Sequence, residues 1–579
     1  MKNSIESIRH SLAHLLGAAV LELYPGSKLA IGPAIDDGFY YDMEVSGKIS
    51  DSDLPRIETE MHKILKTWDK FEEIKETSAS AKKRYVGNPY KLELIQELAD
   101  TKEKMTSYKS GRFIDLCRGG HVANAKDINP DAFKLSHVAG AYWRGDEKNN
   151  QLTRIYGYAF KTKKELDHHI TVIEEAKKRD HKKLGPELDL FTFSDLVGSG
   201  LPLWTPKGTL VRNILDDFVW ELRKKAGYQQ VDIPHITKKD LYEKSGHWEK
   251  FKDELFKITT REGHLFIIKP MNCPHHTQIY ARKPHSYREL PQRYANTTKD
   301  YRDEQTGELS GLSRVRAFTQ DDAHVFCRMN QVKEEFLKIW DIVHEFYKSF
   351  GFELQVRLSR HDPKHMEKYI GDEKKWQSAE KILDEIIKDK KVKAMDGLGE
   401  AAFYGPKLDF LAKDSLGREW QVATIQLDMN MPERFDLYCI NEKGEQERIV
   451  MIHAAIMGSI ERFLSIAIEH YAGAFPVWLA PVQVAILPIT DKQNKGAEEV
   501  SSKLKEAGIR VEVNKDNETL GKKIRAAETQ KIPYLLVIGD KEIQAEAVAV
   551  RQRSKGNMGQ IKLEKFINQV SKEIENRLS

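Results

Sequence analysis

Apolar positions at helical spacing open the chain, with Ile8, Leu12, Leu15, Leu16 and Ala19 on one face of a predicted helix. Mixed strand and turn signals follow to about residue 160. Within them GRFIDLCRGGHVANA places Asp115, Cys117 and His121 around Gly119 and Gly120, where backbone can approach a ligand closely. From Lys161 to Lys183 the pattern turns charged and amphipathic, with eight Lys/Arg against five Asp/Glu, and Gly185 and Pro186 are expected to close it as a connecting helix with a solvated face. From about 187 to 476 apolar, aromatic and polar residues mix, and short strands are predicted at 265–269, 315–319, 403–411 and 419–427. Near the start of that stretch a helix should carry Leu210, Ile214, Phe218 and Leu222 on one face and end at Gly227. The strand YQQVDI should then stop at Pro234. From 477, strands VQVAILPI and YLLVIGD alternate with helical KGAEEVSSKLKEAG and a helix led by Gly521, predicting a small parallel or mixed α/β domain. The expected organisation is 1–160, a linker helix at 161–186, a large domain at 187–476 and a last domain at 477–579.

The length of 579 residues suits about four domains at roughly 150 residues each. With 40% apolar and 31% charged residues, the composition is that of a globular protein. The 92 Lys+Arg nearly balance 88 Asp+Glu, which excludes a polycation binding by excess charge alone but leaves room for a local basic surface. No apolar run approaches the roughly 20 residues of a membrane span, and Glu6, Arg9, His10 and His14 interrupt any signal-peptide core. A cytoplasmic protein without membrane attachment is therefore expected. Cys117, Cys273, Cys327 and Cys439 lie far apart, arguing for reduced thiols rather than a disulfide scaffold.

Three residues suggest a metal. Cys273 in IIKPMNCPHH, His324 in FTQDDAHVFC and His453 in VMIHAAIMGSIERF are too widely spaced for a zinc finger, so any site they form is tertiary, with three protein ligands and an open position. Hydrogen-bonded core histidines are the alternative. Arg302 and Arg314 flank a polar loop between two predicted strands, and Arg462 sits on an apolar helix where a charge needs a partner. Fixed guanidiniums suit phosphate oxygens, although surface salt bridges would explain any one of them. No GxxxxGK[ST] or GxGxxG loop competes for a nucleotide.

The ordered series KPMNCP, RVRAFTQDDAHVFC, GEAAFYGPKLDF, HAAIMGSIERF and FPVWLAPVQV resembles the threonyl-tRNA synthetases, a family of class II aminoacyl-tRNA synthetases. RHSLAHLLG with DLCRGGH resembles their editing domain. The resemblance implies an α+β multidomain fold: an antiparallel class II catalytic core flanked by helices, an N-terminal α+β editing domain and a C-terminal α/β anticodon-binding domain. It implies that the helix and strand ending at Pro234 form a homodimer interface. It places Arg302 on the ATP α-phosphate, Glu304 and Phe318 on adenine, and Arg314 and Arg462 on the terminal phosphates, with Mg2+ accompanying ATP. Cys273, His324 and His453 match zinc ligands, one ion per subunit; Asp322, Tyr404 and Gln421 match residues around L-threonine; His247 in SGHW matches a base for transfer to tRNA(Thr). Asn517, Glu542 and Arg551 match anticodon-reading positions.

Such a site answers a selection problem. Valine is nearly isosteric with threonine, and zinc that must take both amine and hydroxyl rejects it. Serine keeps both groups and loses one methyl, worth about 1–3 kcal/mol or roughly 10- to 200-fold, so a second, hydrolytic site is expected. His10 and His14, four apart on a helix, with Cys117 and His121, fit that need. Read alone, two His, Cys and His is also a zinc donor set, as in alanyl-type editing domains. The threonyl resemblance instead implies that these residues, with Asp115 and Lys91, position seryl-tRNA and water, without zinc. Residue 11 is Ser, which excludes HExxH.

The family's usual bacterial ubiquitin-like extension is not expected ahead of Arg9. His275 replaces a glycine beside Cys273 and offers a competing ligand, and Tyr301 and Asp303 replace the more usual His and Asn. A synthetase-like RNA-binding paralogue without charging activity, and a zinc hydrolase acting through the N-terminal site, are the rival readings. From Val477 onward 18 Lys+Arg face 14 Asp+Glu, so the whole surplus of +4 lies in the segment expected to contact the anticodon, where binding should weaken with salt.

Overall fold

The computed structural model describes residues 4–578; residues 1–3 and 579, the outermost positions of the first and last expected domains, lie outside the described residues. The chain forms two units, 1–175 and 176–579.

In the first unit, helix α1 (Ile5–Leu23) starts where Ser4 accepts a hydrogen bond from the Ser7 amide, and the predicted stripe of Ile8, Leu12, Leu15, Leu16 and Ala19 is buried. Its core includes Phe39, Tyr41 and Met43 of strand Gly38–Glu44, which pairs antiparallel with Gln151–Ala159 and through it joins Phe133–Tyr142. A second antiparallel sheet holds Glu72–Lys75, Thr106–Ser110 and Phe113–Leu116. The charged stretch makes helix α2 (Lys163–Arg179), in which only Leu166 is buried. It does not run on to Gly185. Asp180 accepts from the Lys182 amide at 2.8 Å and starts a new helix, α3 (His181–Glu187), within the second unit. Gly185 and Pro186 lie inside α3, and at 185 a Cβ would stand 2.0 Å from the Phe191 ring.

Helix α4 (Pro206–Lys225) is capped by Thr205, but its buried stripe is Val211, Leu215, Phe218 and Leu222 rather than one starting at Leu210. Steps of four residues drift about 40° each around a 3.6-residue helix, so Leu210 stands about 120° from Leu222 and is 36% exposed. Gly208 sits where a Cβ would be 1.7 Å from the Leu190 carbonyl oxygen. Gly208→Ala should therefore lower the thermal midpoint, costing about 1–3 kcal/mol or more, whereas Leu210→Ala should leave it nearly unchanged in the same calorimetric scan.

Helix α5 (Cys273–Ala281) precedes most of an eight-stranded sheet. Its central strands are β1 (Gln292–Tyr301), β2 (Ala317–Cys327), β3 (Lys407–Lys413), β4 (Glu419–Asp428) and β5 (Val450–Ala455), in the order β1-β2-β5-β4-β3 and all antiparallel. Of YQQVDI only Gln229–Gln230 pairs, parallel to Tyr294 and Ala295. The strand expected at 315–319 extends to 327, and that expected from 403 begins at 407, after a turn in which a Cβ on Gly405 would press the Leu427 carbonyl. One sheet face carries Ala323, Val325, Ile425, Ile452 and Ala454 into the main apolar core with α4 and helix α6 (Ile460–Tyr471). Side-chain alternation then turns Asp322, His324, Gln426 and His453 to the opposite face.

The C-terminal stretch is the expected mixed α/β sheet. Val511–Val513, Val484–Pro488 and Tyr534–Ile538 run parallel, and Ala547–Gln552 and Gly556–Lys562 complete it antiparallel. All four cysteines are free, and among the described residues no helix is long and apolar enough to cross a membrane.

Candidate functional site

Register brings the first group together. Tyr294, His324, His453 and Gln426 oppose one another in a single row across β1, β2, β5 and β4, and opposed residues share a face. Cys273, the first residue of α5, joins them, and the donor atoms of Cys273, His324 and His453 lie within 4.8 Å of one another, all buried. His324 Nε2 is 3.1 Å from His453 Nδ1, close to the roughly 3.3 Å edge of a tetrahedron with Zn–N bonds of about 2.0 Å. The outer nitrogens are held as well: His453 Nε2 is 3.0 Å from Asp428 Oδ2, and His324 Nδ1 is 2.8 Å from His276 Nδ1. This donor set fits zinc. Burial holds His324 well toward its neutral form and pushes the Cys273 thiol well up, so uptake of a metal would release the thiol proton. His275, the competing ligand, lies outside the group, its two ring nitrogens buried without a hydrogen-bond partner among the described residues.

Asp322 stands beside the group, with Oδ1 3.7 Å from His324 Nε2 and Oδ2 accepting from Asn272 Nδ2 at 3.1 Å; burial raises its carboxyl to about 6. The Tyr404 ring lies 4.9 Å from that of His453. His247 Nε2 is 3.8 Å from Cys273 Sγ, its Nδ1 2.8 Å from Ser245 Oγ, and burial lowers its pKa to about 3, the neutral form a base requires. From beneath the sheet, buried Arg223 of α4 pairs with Asp321 at 2.5 Å and donates to the carbonyls of Asp322 and Ala454, tying β2 to β5 where they carry the histidines. Sequence reasoning missed Arg223, Asn272 and Asp428, whose roles appear only through cross-strand neighbours.

A cavity of about 490 Å³ continues along the same face, lined by Arg302, Glu304, Arg314, Phe318 and Arg462. The Arg302 guanidinium lies 5.2 Å from the Phe318 ring centroid, and its Nε is buried without a hydrogen-bond partner among the described residues. Buried Glu304 pairs with Arg314 at 2.7 Å. Arg462, in the first turn of α6, has no carboxylate partner among the described residues. An anion is the complement of such a wall. Gln421 belongs to this cavity and not to the Cys/His/His group: its Nε2 donates to Asp409 at 2.8 Å and its Oε1 accepts from Arg357 at 2.9 Å. Five residues along β4, about 16 Å at 3.3 Å per residue, separate it from Gln426. Gln426, opposite His453 and donating to the Gly405 carbonyl at 3.1 Å, is the glutamine beside the Cys/His/His group.

The first unit holds its own cavity, of about 860 Å³, lined by His10, His14, Lys91, Asp115 and Cys117. Cys117 Sγ lies 3.3 Å from both His10 Nε2 and His121 Nε2, and with His14 the four donors fall within 4.8 Å. Left-handed backbone at Gly119 and Gly120, φ +95° and +94°, folds the loop so that the Gly119 amide meets Cys117 Sγ at 3.3 Å. Burial pushes the thiol up to about 11. Below it Lys91 Nζ pairs with Asp115 at 2.6 Å, both buried, and Tyr41 donates to the same carboxylate. Tyr41 escaped the sequence reading because in GFYYDME it looks like any apolar strand residue.

The three anticodon positions are not joined by any hydrogen bond or ion pair among the described residues. Asn517 is exposed in the loop after Val511–Val513. Glu542 accepts from the Gly539 amide at 3.0 Å at the start of a short helix, and Arg551, opposite Leu535, pairs with Glu528 at 3.3 Å.

Three family descriptions match: the class II tRNA synthetase core domain (G, H, P, S and T) over 256–471, an anticodon binding domain over 483–573, and the second additional domain of threonyl and alanyl tRNA synthetases over 105–156. The antiparallel sheet with its arginine-lined cavity is thus that of a class II aminoacyl-tRNA synthetase. A threonine-tRNA ligase of Porphyromonas gingivalis is 49% identical over 98% of this chain and 88% of its own length, and one of Acetivibrio thermocellus 48% identical over 99% and 89%. A crystal structure described as the RNA binding domain of threonyl-tRNA synthetase from Cryptosporidium parvum superposes with a TM-score of 0.65 at 35% identity, covering 68% of this chain and 98% of its own. The chain belongs to the threonine-tRNA ligase family.

Proposed function

We propose that the protein activates L-threonine with ATP, the amino-acid carboxylate displacing pyrophosphate from the α-phosphorus, then transfers the threonyl group from the adenylate to tRNA(Thr) with release of AMP, and hydrolyses mischarged Ser-tRNA(Thr). The carrying observation is one sheet face that holds the Cys/His/His group and, next to it, a cavity with Arg302 and Arg462 unneutralised among the described residues. A zinc ion held by Cys273, His324 and His453 would supply Lewis-acid sites for the amine and hydroxyl of threonine, the second of which valine lacks. Asp322 and Tyr404 orient the amino acid beside that group. Arg302 holds the α-phosphate and stacks with Phe318 toward adenine, Glu304 faces the base, and Arg314 and Arg462 take the terminal phosphates with Mg2+. His247, neutral in its buried setting, accepts the ribose hydroxyl proton during transfer.

We assign 1–160 to editing, 161–186 to a connection containing the break at Asp180, 187–476 to catalysis and 477–579 to the anticodon, read by Asn517, Glu542 and Arg551. His10, His14, Lys91, Asp115, Cys117 and His121 serve the editing site, without a metal. A homodimer and a cytoplasmic setting complete the reading; the exposed Leu196, Val197 and Leu203 ahead of α4 and Leu210 in its second turn supply apolar surface for the former. No observation favours a non-charging paralogue.

Aminoacylation of tRNA(Thr) with labelled threonine, valine and serine tests the proposal: stable product with threonine alone supports it, and tRNA binding without any esterification refutes it. The two glutamines should separate in the same assay. Gln426→Ala should raise the KM for threonine about tenfold with little change for ATP, and Gln421→Ala should do the reverse, each losing roughly 1–2 kcal/mol of hydrogen bonding.

A further inference from the structure

Over the sheet, the arginines of the cavity come from two elements far apart in sequence: the loop 302–316, bearing Arg302, Glu304 and Arg314, and helix α6, bearing Arg462. One buried side chain outside both touches each of them. His181, at the start of α3, is 4% exposed. Its Nδ1 lies 2.6 Å from Glu469 Oε1 on α6, and its Nε2 accepts from the backbone N–H of Leu312 in the loop at 3.0 Å. Because an amide N–H can only donate, Nε2 is the unprotonated nitrogen and Nδ1 carries the proton donated to the carboxylate, so both bonds require one neutral tautomer. Glu469 is anchored in turn, its Oε2 accepting from Arg418 at 2.6 Å and its Oε1 from the His181 amide at 3.3 Å. The loop presses on the imidazole: Gly311 has φ +51°, and a Cβ there would stand 2.3 Å from His181 Nε2. Leu312, whose amide makes the bond, is fully buried, so that N–H has no water to replace a lost acceptor.

We propose that His181 is a positioning residue for ATP: it clamps the returning half of the 302–316 loop to helix α6 and so sets the separation of the loop arginines from Arg462. It contacts no reacting atom, and nothing ties it to the Cys/His/His group, so its influence should fall on nucleotide binding rather than on threonine. This inference rests on the proposed ATP-dependent activation.

Two near-isosteric variants separate the bonds. In His181→Asn the amide nitrogen takes the place of Nδ1 and keeps the donor to Glu469, while the acceptor for Leu312 is lost. In His181→Gln the amide oxygen takes the place of Nε2 and keeps that acceptor, while the backbone N–H at 181 still holds Glu469 Oε1 on α6. Threonine-dependent ATP–pyrophosphate exchange, run on the full chain with zinc content and thermal midpoint measured in parallel, should show the KM for ATP rising about tenfold in His181→Asn, equivalent to roughly 1.4 kcal/mol. The KM for threonine and the zinc content should stay within about twofold, and His181→Gln should recover most of the loss. An unchanged KM for ATP, or equal rises for ATP and threonine, in a variant that remains folded by its thermal midpoint would overturn the proposal. If His181→Asn fails to fold, the outcome rests on His181→Gln, whose KM for ATP must stay within about threefold of the parent's with threonine unaffected. Absence of exchange in the unmodified protein would refute the activation reading itself, a result distinct from failure of the clamp.

Discussion

Cys273→Ser should strip the protein of zinc and lower threonine-dependent pyrophosphate exchange by more than about a hundredfold, beyond the 10- to 100-fold typical of losing an outer-shell partner. The cysteine is one of three buried donors within 4.8 Å of one another, and Ser offers neither a thiolate nor the roughly 2.3 Å bond that zinc makes with sulfur. Hydrolysis of Ser-tRNA(Thr) should persist, since the editing residues all lie in the other unit. Metal analysis gives a second reading of the same variant. The parent should hold one zinc per chain and Cys273→Ser none; one zinc remaining in the variant would place it at another donor group, His10, His14, Cys117 and His121 or Asp180, His181 and Glu469.

The double change His10→Ala with His14→Ala should leave threonine charging within about twofold of the parent while seryl-tRNA(Thr) accumulates. A lost methyl gives the synthetic site only roughly 10- to 200-fold against serine, so without clearance the mischarged product should appear on tRNA at visible levels when serine is abundant. His10, His14, Lys91, Asp115 and Cys117 line one cavity of about 860 Å³, with Tyr41 donating to Asp115 behind them. Normal clearance of serine by the double variant, measured as deacylation of preformed Ser-tRNA(Thr), would contradict the assignment.

How much of this was legible in the sequence depended on the range of the cause. The stripe of α1 and the alternating C-terminal elements obey local periodicity and were readable directly. Cys273, His324 and His453 were readable as chemistry but not as a site, because their convergence depends on β2 and β5 pairing His324 with His453 across a gap of 129 residues. The phase of α4 is not legible locally because repeated steps of four drift around a helix, and tertiary packing, tight at Gly208, decides which face turns inward. Gln421 and Gln426 lie on one strand with similar neighbours in sequence. A bulge between Phe410 and Leu411 and the register against β5 decide which one meets the histidines. His181 had no signal beyond a charged helix until its two partners, 131 and 288 residues away, came into view.

The central claim, that the single sheet face selects threonine and joins it to AMP, is tested most directly by amino-acid-dependent ATP–pyrophosphate exchange in zinc-replete protein. Strong exchange with L-threonine, weaker exchange with serine and essentially none with valine are expected. Exchange with valine comparable to that with threonine, or none with any amino acid, would contradict it.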